Sequence, residues 1–306
     1  MVKSNQYKKQ HWIPQSYLKA WCDPNSPADQ EPYVWRVSKD GQITSKKAPK
    51  NIFFEQDIYS ISLPNGNRDL VVEHDLAGLE SEFVKVRERL LANRRPLDKR
   101  SDIILKAFIA AMKARTPQHL KHRQKQFRNI SERMINMRQI VSSMTPKELE
   151  EFKKGIQPTF RSEKKISLEE IQQLAESPMG PFVLEEIKIQ LPILSKMKLL
   201  ILCTGDDLGF ITSDNPCVWF DPELSKLPPL LQSPGLAFPT IEVTLPVSPS
   251  QLILLSWENI TGYLDITEEI LNDLNRQRRS LCKEYFICKR NEKREIWFNK
   301  STYHPG

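Results

Sequence analysis

SDIILKAFIAAMKARTP, residues 101–117, decides how the rest of the chain must be arranged. Ten of the twelve positions from Ile103 to Ala114 are apolar, which leaves no polar face for water. A helix apolar on every side belongs in the middle of a core, covered all round by other elements. Ser101 stands ready to cap its start. Pro117 sets its end, because the residue before a proline is pushed out of helical geometry. Arg115 is thereby a cation that a core element delivers to its own edge.

Working outward toward the N-terminus, Leu76, Leu79, Phe83, Val86 and Leu90 recur in steps of three and four between His74 and Asn93, which predicts a helix with one apolar stripe. Earlier, YVWRVSKDGQITS (33–45) alternates apolar and polar residues about Lys39-Asp40-Gly41 and reads as a hairpin. DIYSISL (57–63) reads as a short strand stopped by Pro64-Asn65-Gly66. QHWIPQSYLKAW (10–21) gathers a histidine and three aromatics near the N-terminus, where chains are usually frayed and polar. Tyr17, Leu18 and Trp21, on a short helix begun near Pro14, would bury one face and hold the segment down.

On the other side, Pro117 to Val141 predicts a long helix with Leu120, Phe127, Met134, Met137 and Val141 inward and basic residues outward. Two capping boxes follow, Thr145-Pro146-Lys147-Glu148 and Ser167-Leu168-Glu169-Glu170, separated by KKGIQPTFRSEKK (153–165), which reads as a mobile charged loop. From Met197 the period is that of strands: KLLILCT, a turn at Gly205-Asp206-Asp207, GFITSDNP, IEVTLPVSP, QLILLSW, EYFICKR and EIWFNKS. A helix from about Ile266 to Cys282, capped by Asp265, interrupts them. The prolines of LAFPTIEVTLPVSPSQ suit an edge or border strand. The fold class is α+β, a helical centre packed with an N-terminal β-hairpin and a C-terminal antiparallel sheet, read as a single domain over 1–306 with residues 291–306 as a last strand and tail.

Forty-five Lys+Arg against 38 Asp+Glu give a net charge of +7. From Lys106 to Arg138 nine basic residues face one acid, Glu132, so the surplus lies in that stretch. Such a field attracts polyanions; a merely solvated helix face is the alternative. The 5 cysteines form no CxxC pair, nothing resembles a secretory leader, and no run nears the roughly 18 apolar residues of a membrane span, so a reduced, cytoplasmic protein with no membrane partner is expected. Phosphate-cradling glycine loops and the GxSxG elbow are absent, which weakens P-loop, dinucleotide-fold and α/β-hydrolase readings.

Asp206-Asp207 could hold divalent ions at a hairpin tip, but Gly-Asp is ordinary turn chemistry. His119 and His122 lie one helical turn apart without a converging third ligand. Glu73-His74-Asp75 fits the acidic first turn of a helix better than a metal site. Cys217, in a strand-like apolar run, reads as core filler. Thr212-Ser213-Asp214-Asn215-Pro216 brings a hydroxyl, a carboxylate and an amide to one sheet edge, either as an Asx-type turn or as part of a site.

His11-x-Ile13-Pro14-Gln15-x-Tyr17-Leu18 with Trp21, Arg115-Thr116-Pro117, Thr212 to Pro216, Leu245-Pro246-x-Ser248-Pro249 and Asn275, in that order, resemble the bacterial domain-of-unknown-function 4238 family over about residues 9–290. The resemblance transfers no activity. It implies one integral domain and marks His11, Gln15, Arg115, Ser213, Asp214 and Asn275 as the polar residues of the pattern.

Brought together, these six suit a phosphate or phosphodiester. Arg115 would neutralise charge, His11 would act as general acid or base, Asp214 would orient His11 or hold a metal, and Gln15, Ser213 and Asn275 would position the ligand. A buried structural network is the equally physical alternative. No metal ligand set is assigned; a divalent metal cofactor is left open. The expected function is a nucleic-acid-directed protein, a nuclease of toxin or phage-defence type, with Lys121, Arg123, Lys125 and Arg128 binding the RNA or DNA backbone. The alternatives are a non-catalytic nucleic-acid or protein binding module and a nucleotide or phosphosugar enzyme.

Overall fold

The computed structural model describes residues 9–23, 26–27, 29–62, 68–155, 167–176, 180–224 and 235–299. The chain divides into two compact units, one of Met1–Thr116 with Gly180–Gly306 and one of Pro117–Met179.

In chain order the first unit opens with β1 (Lys9–His11), α1 (Gln15–Leu18), β2 (Val34–Ser38), β3 (Thr44–Lys47), β4 (Phe54–Gln56), β5 (Ile61–Ser62) and β6 (Arg68–Asp69). Then come α2 (Val71–Arg89) and α3 (Lys99–Ala114). The second unit holds α4 (Pro117–Ser143), α5 (Pro146–Gly155) and α6 (Leu168–Glu176). The first unit resumes with α7 (Gly180–Leu194), β7 (Lys198–Cys203), β8 (Thr212–Ser213), β9 (Val218–Phe220), β10 (Glu242–Ser248), β11 (Gln251–Ser256), β12 (Gly262–Asp265), α8 (Glu268–Leu281) and β13 (Tyr285–Cys288).

The α+β reading holds, with α3 at the centre of the first unit. Leu105, Phe108, Ile109, Ala110 and Met112 are fully buried, α3 packs against α2 and α7, and Phe108 stacks on Phe83 of α2 at 3.7 Å between ring centres. The burial is not all-round: Ile103 is exposed, and Ile104 and Ala107 are only partly buried. The cap is Asp98 rather than Ser101, and the Ser101 amide donates to its carboxylate (2.8 Å), so the helix starts one turn earlier than its apolar run. Tyr17, Leu18 and Trp21 are sealed into the same core, as their spacing predicts.

A five-stranded sheet runs β12-β7-β11-β10-β9, antiparallel except for the parallel β12–β7 pair. A four-stranded sheet runs β3-β2-β13-β8, so the N-terminal hairpin and two C-terminal strands share one sheet. The hairpin turn is the expected one: Gly41 takes φ +77°, and Asp40 accepts from the Ser38 hydroxyl and the Gln42 amide.

The proline-bearing strand β10 stands at the border of its sheet: β11 covers one side, and β9 pairs with the other only over Glu242–Thr244. Beyond Thr244 the β9 side has no ladder partner among the described residues, and there the Pro246 oxygen accepts the Tyr17 hydroxyl (2.7 Å). Two expectations need correction. α8 is capped by Thr267, whose hydroxyl accepts the Ile270 amide, while Asp265 is drawn off by a two-pronged pair with Arg94 at 2.5 and 2.8 Å. Glu295–Phe298, expected to be strand, is a 3-10 turn in which the buried Trp297 donates its indole N–H to Asn272 on α8 (2.9 Å); Lys300 and Ser301 lie outside the described residues.

In the second unit both capping boxes close reciprocally. Thr145 N–H reaches Glu148 Oε2 at 2.8 Å and Ser167 N–H reaches Glu170 Oε2 at 2.7 Å, with the hydroxyls accepting in return. Arg138 of α4 pairs with Glu169 of α6 at 3.3 Å. Met137, expected inward, is exposed beside Ile130 and Ile140. Residues 156–166, most of the charged stretch between the boxes, and Pro64-Asn65-Gly66 lie outside the described residues.

Tyr59, fully buried, ties the first unit together. Its amide donates to Gln10 Oε1 (2.6 Å) and its hydroxyl to Arg115 O (3.1 Å). At Gly180, a Cβ would stand 2.6 Å from Tyr59 Cα, so the start of α7 rests on this residue with no room for a side chain. No helix among the described residues is long and apolar enough to cross a membrane.

Candidate functional site

The six polar residues of the family pattern fall into two neighbourhoods. His11, Gln15 and Arg115 share one; Ser213, Asp214 and Asn275 occupy the other. None of the contacts of the second trio among the described residues involves the first.

The second neighbourhood is a set of staples. Asp214 accepts backbone N–H groups of Lys283, Glu284 and Tyr285 at 2.7, 2.6 and 2.9 Å, fixing the link from α8 to β13. Burial pushes its pKa above the usual carboxylate value while these three amides hold it down. Asp214 therefore does not orient His11. Ser213 Oγ accepts the Asn215 amide (3.2 Å), and the Asn215 side chain reaches Leu281 O (3.2 Å). Asn275, fully buried, donates to Gly209 O (2.9 Å) and accepts from Ile211 N–H (3.0 Å), closing the free backbone before β8. Asp206 of the Gly-Asp-Asp turn does the same for Leu208 and Gly209 and pairs with Arg294 at 2.5 Å. Cys217 is fully buried, its thiol pushed up to about 11 by desolvation, which fits core filler.

The first neighbourhood is different. It is built where β1, the start of α1, the edge of α2 and the end of α3 meet. Pro14 begins α1 and directs Tyr17 and Leu18 into the core, which leaves Gln15 exposed and His11 half-buried just before the turn. The imidazole Nε2 lies 3.3 Å from Lys50 O, Nδ1 lies 3.5 Å from Gln15 Nε2, and the ring packs on Phe54 with centroids 5.5 Å apart. Burial lowers the His11 pKa below its ordinary value, and Lys9 and Arg115 act in the same direction, against the Lys50 carbonyl and Glu80. At neutral pH the ring is a neutral base.

Arg115, expected to meet an anion directly, is buried, and its Nη1 donates to Glu80 Oε1 (2.7 Å). Its Nε is buried with no acceptor. The reason is its position at the end of a core helix: an uncompensated guanidinium there is costly, and α2 supplies the partner. Glu80 also accepts from Ser16 Oγ at 3.5 Å.

One turn pair earlier on α2, Glu73 is half-buried, and its pKa is pushed up to about 7 by burial first, then by Glu80, with Arg115 opposing. The sequence marks Glu73 only as a helix-start acid or a metal-ligand candidate, and it does not mark Glu80. The signal was present: Glu73, Glu80 and Arg87 recur every seven residues along the flank of the Leu76–Phe83 stripe, a line of charge at the border of the core. Arg87 ends that line by donating to the carbonyls of Tyr17 and Ser16 at 3.2 and 3.1 Å, so α1 is held at its own C-terminal end. The arrangement offers a neutral imidazole and a carboxyl group titrating near neutrality, each feeling the same buried Arg115–Glu80 pair.

Of the nine basic residues from Lys106 to Arg138, the three on α3 or directly after it serve the first unit. Lys106 is buried on Asp102 and the Met197 carbonyl (both 2.8 Å), Lys113 sits 5.0 Å over the Trp219 ring, and Arg115 holds Glu80. The six on α4 belong to the second unit. Lys121, Lys125, Arg128 and Arg133 are exposed; Arg123 contacts Gln126 (3.1 Å), and His122 meets Gln126 (2.9 Å). Among the described residues no group of three or more His, Cys, Asp or Glu is placed to hold a metal ion.

The family model described as "Protein of unknown function (DUF4238)" matches residues 9–292, and the chain belongs to that family. No curated protein and no solved structure matches it.

Proposed function

We propose that this member of the family is a nucleic-acid-directed phosphodiester hydrolase whose proton-transfer groups are His11 and Glu73. The observation that carries the reading is a half-buried carboxyl group with a pKa of about 7 and a half-buried histidine held neutral, each feeling the charges of Arg115 and Glu80. General acid–base catalysis works best with groups poised near the operating pH. Neutral His11 takes a proton from the attacking water, whose oxygen bonds to phosphorus as the bond from phosphorus to the leaving oxygen breaks, and the protonated fraction of Glu73 gives that leaving oxygen its proton. Arg115 is a positioning residue that acts through Glu80, and Gln15 sets the imidazole. Asp214, Ser213 and Asn275 belong to the fold and not to the chemistry. In the second unit, the exposed Lys121, Lys125 and Arg128, with Arg123, form the surface for the phosphate backbone.

The test is incubation of the purified protein with tRNA, total RNA and single-stranded DNA, with and without Mg²⁺. Cleavage that Glu73→Gln and His11→Ala each reduce by roughly 10²-fold or more supports the reading. Intact substrates in every mixture would end it. The exposed, acid-poor face of α4 favours a second reading, a non-catalytic binding module. It predicts binding to RNA that weakens steeply with salt and with Lys121→Gln, Lys125→Gln and Arg128→Gln, while Glu73→Gln changes nothing.

A further inference from the structure

The first unit carries a cavity lined by none of His11, Gln15, Glu73, Glu80 and Arg115. It is a groove of 790 Å³ between the α2–α3 link, the end of α7, the start of β7 and β12. Its volume falls within the roughly 300–1,000 Å³ of small-molecule sites. The floor is apolar, made by Pro96, Leu97, Ile103, Met197, Leu199 and Tyr263. Ile103 is the apolar residue of α3 that the core leaves exposed, on a helix whose other apolar side chains are buried or partly buried.

The charges around that floor are unevenly committed. Asp98 is used as the cap of α3, Asp102 is paired with buried Lys106, and Arg94 is paired with Asp265. Both carboxylates of the lining are therefore occupied. Lys106 is spent as well, donating to Asp102 and to the carbonyls of Ser195 and Met197. Lys99, Lys196 and Lys198 remain; all three are exposed, and no hydrogen bond or ion pair of their side chains occurs among the described residues. One comes from the first turn of α3 and two flank the start of β7, so three uncommitted cations from two elements border one apolar floor.

We infer that this groove binds a small amphipathic anion: a single phosphate or carboxylate held among Lys99, Lys196 and Lys198, with an apolar or flat body laid on Ile103, Leu97 and Tyr263. The combination excludes a bare inorganic ion, for which the floor would be wasted, and a neutral apolar ligand, for which the lysines would be. The inference is independent of the proposed hydrolysis.

The test is titration calorimetry of the full chain with three probes: adenosine 5′-monophosphate, decanoate and inorganic phosphate. Binding of either organic anion at or below about 1 mM, with phosphate at least about tenfold weaker, supports the site, and which of the two binds tells a nucleotide-like body from an aliphatic one. The Lys196→Glu/Lys198→Glu double variant should weaken that binding about tenfold or more, and Ile103→Trp, which fills the groove from an already exposed position, should do the same. Lys147→Glu, on α5 and exposed, should leave it unchanged. The proposal is overturned if neither organic anion binds, if phosphate alone binds as well, or if both groove variants bind like the wild type.

Discussion

Two polar neighbourhoods of the first unit use the same residue types and differ in what is left over. Around Asp214 and Asn275 every side-chain group named has a backbone partner, and those partners are the loose ends of strands and helices. Around Arg115 and Glu73 the accounting does not close: an Nε is stranded, a carboxyl group is pushed toward neutrality, and an imidazole has two long contacts. A polar cluster that satisfies itself is architecture, and one that leaves charge or proton affinity unspent is where chemistry is to be sought.

The sharpest way to break this contrast is Asn275→Ala. It strands two buried backbone groups, so a loss of about 3 kcal/mol in urea unfolding is expected, with no selective effect on ligand or substrate. Full stability with lost cleavage would reverse the two roles. Next comes Glu73→Gln, which should be more stable than the wild type at pH 8. Because the folded-state pKa of Glu73 lies above its ordinary value, the folded protein binds the extra proton between about 4.5 and about 7. Stability referred to this group is therefore lost as pH rises through that window, on the order of 2 kcal/mol, and Gln removes the loss. His11 runs the other way. Its lowered pKa means that stability is lost as pH falls below 6.5, so His11→Gln should flatten the acid side of the urea-stability profile while Glu73→Gln flattens the neutral side. Tyr17→Phe sits between the neighbourhoods, removing hydrogen bonds to Thr212 and Pro246, and should cost about 1 to 2 kcal/mol by the same assay. Smallest is Ser167→Ala in the second unit. Loss of one cap should cost about 1 kcal/mol or less and raise amide exchange in the first turn of α6 only.

What could be read without coordinates was what local chemistry controls. The period of α2, the burial of α3, the turn at Asp40-Gly41 and the boxes at Thr145 and Ser167 depend on residues within a few positions of one another. What could not be read depends on partners far away. β12 pairs in parallel with β7, some sixty residues earlier, and its short sequence carries no signal of that. Trp297 turns out of a strand because Asn272 is waiting for its indole. Asp265 is a plausible cap until Arg94 claims it. The candidate site shows the same division: His11 and Arg115 stand out as unusual residues in their segments, whereas Glu80 and Glu73 look like ordinary helix surface until Arg115 is seen to end against them.

Tyr59 grips the chain at both the place where it departs from the first unit and the place where it comes back. Its hydroxyl holds the carbonyl of Arg115 and its backbone bears on Gly180, with the whole of α4 to α6 strung between those two points. The points at which the 117–179 segment leaves and rejoins the first unit are thus both set by one tyrosine, so damage to that side chain is felt at two distant places in the sequence at once.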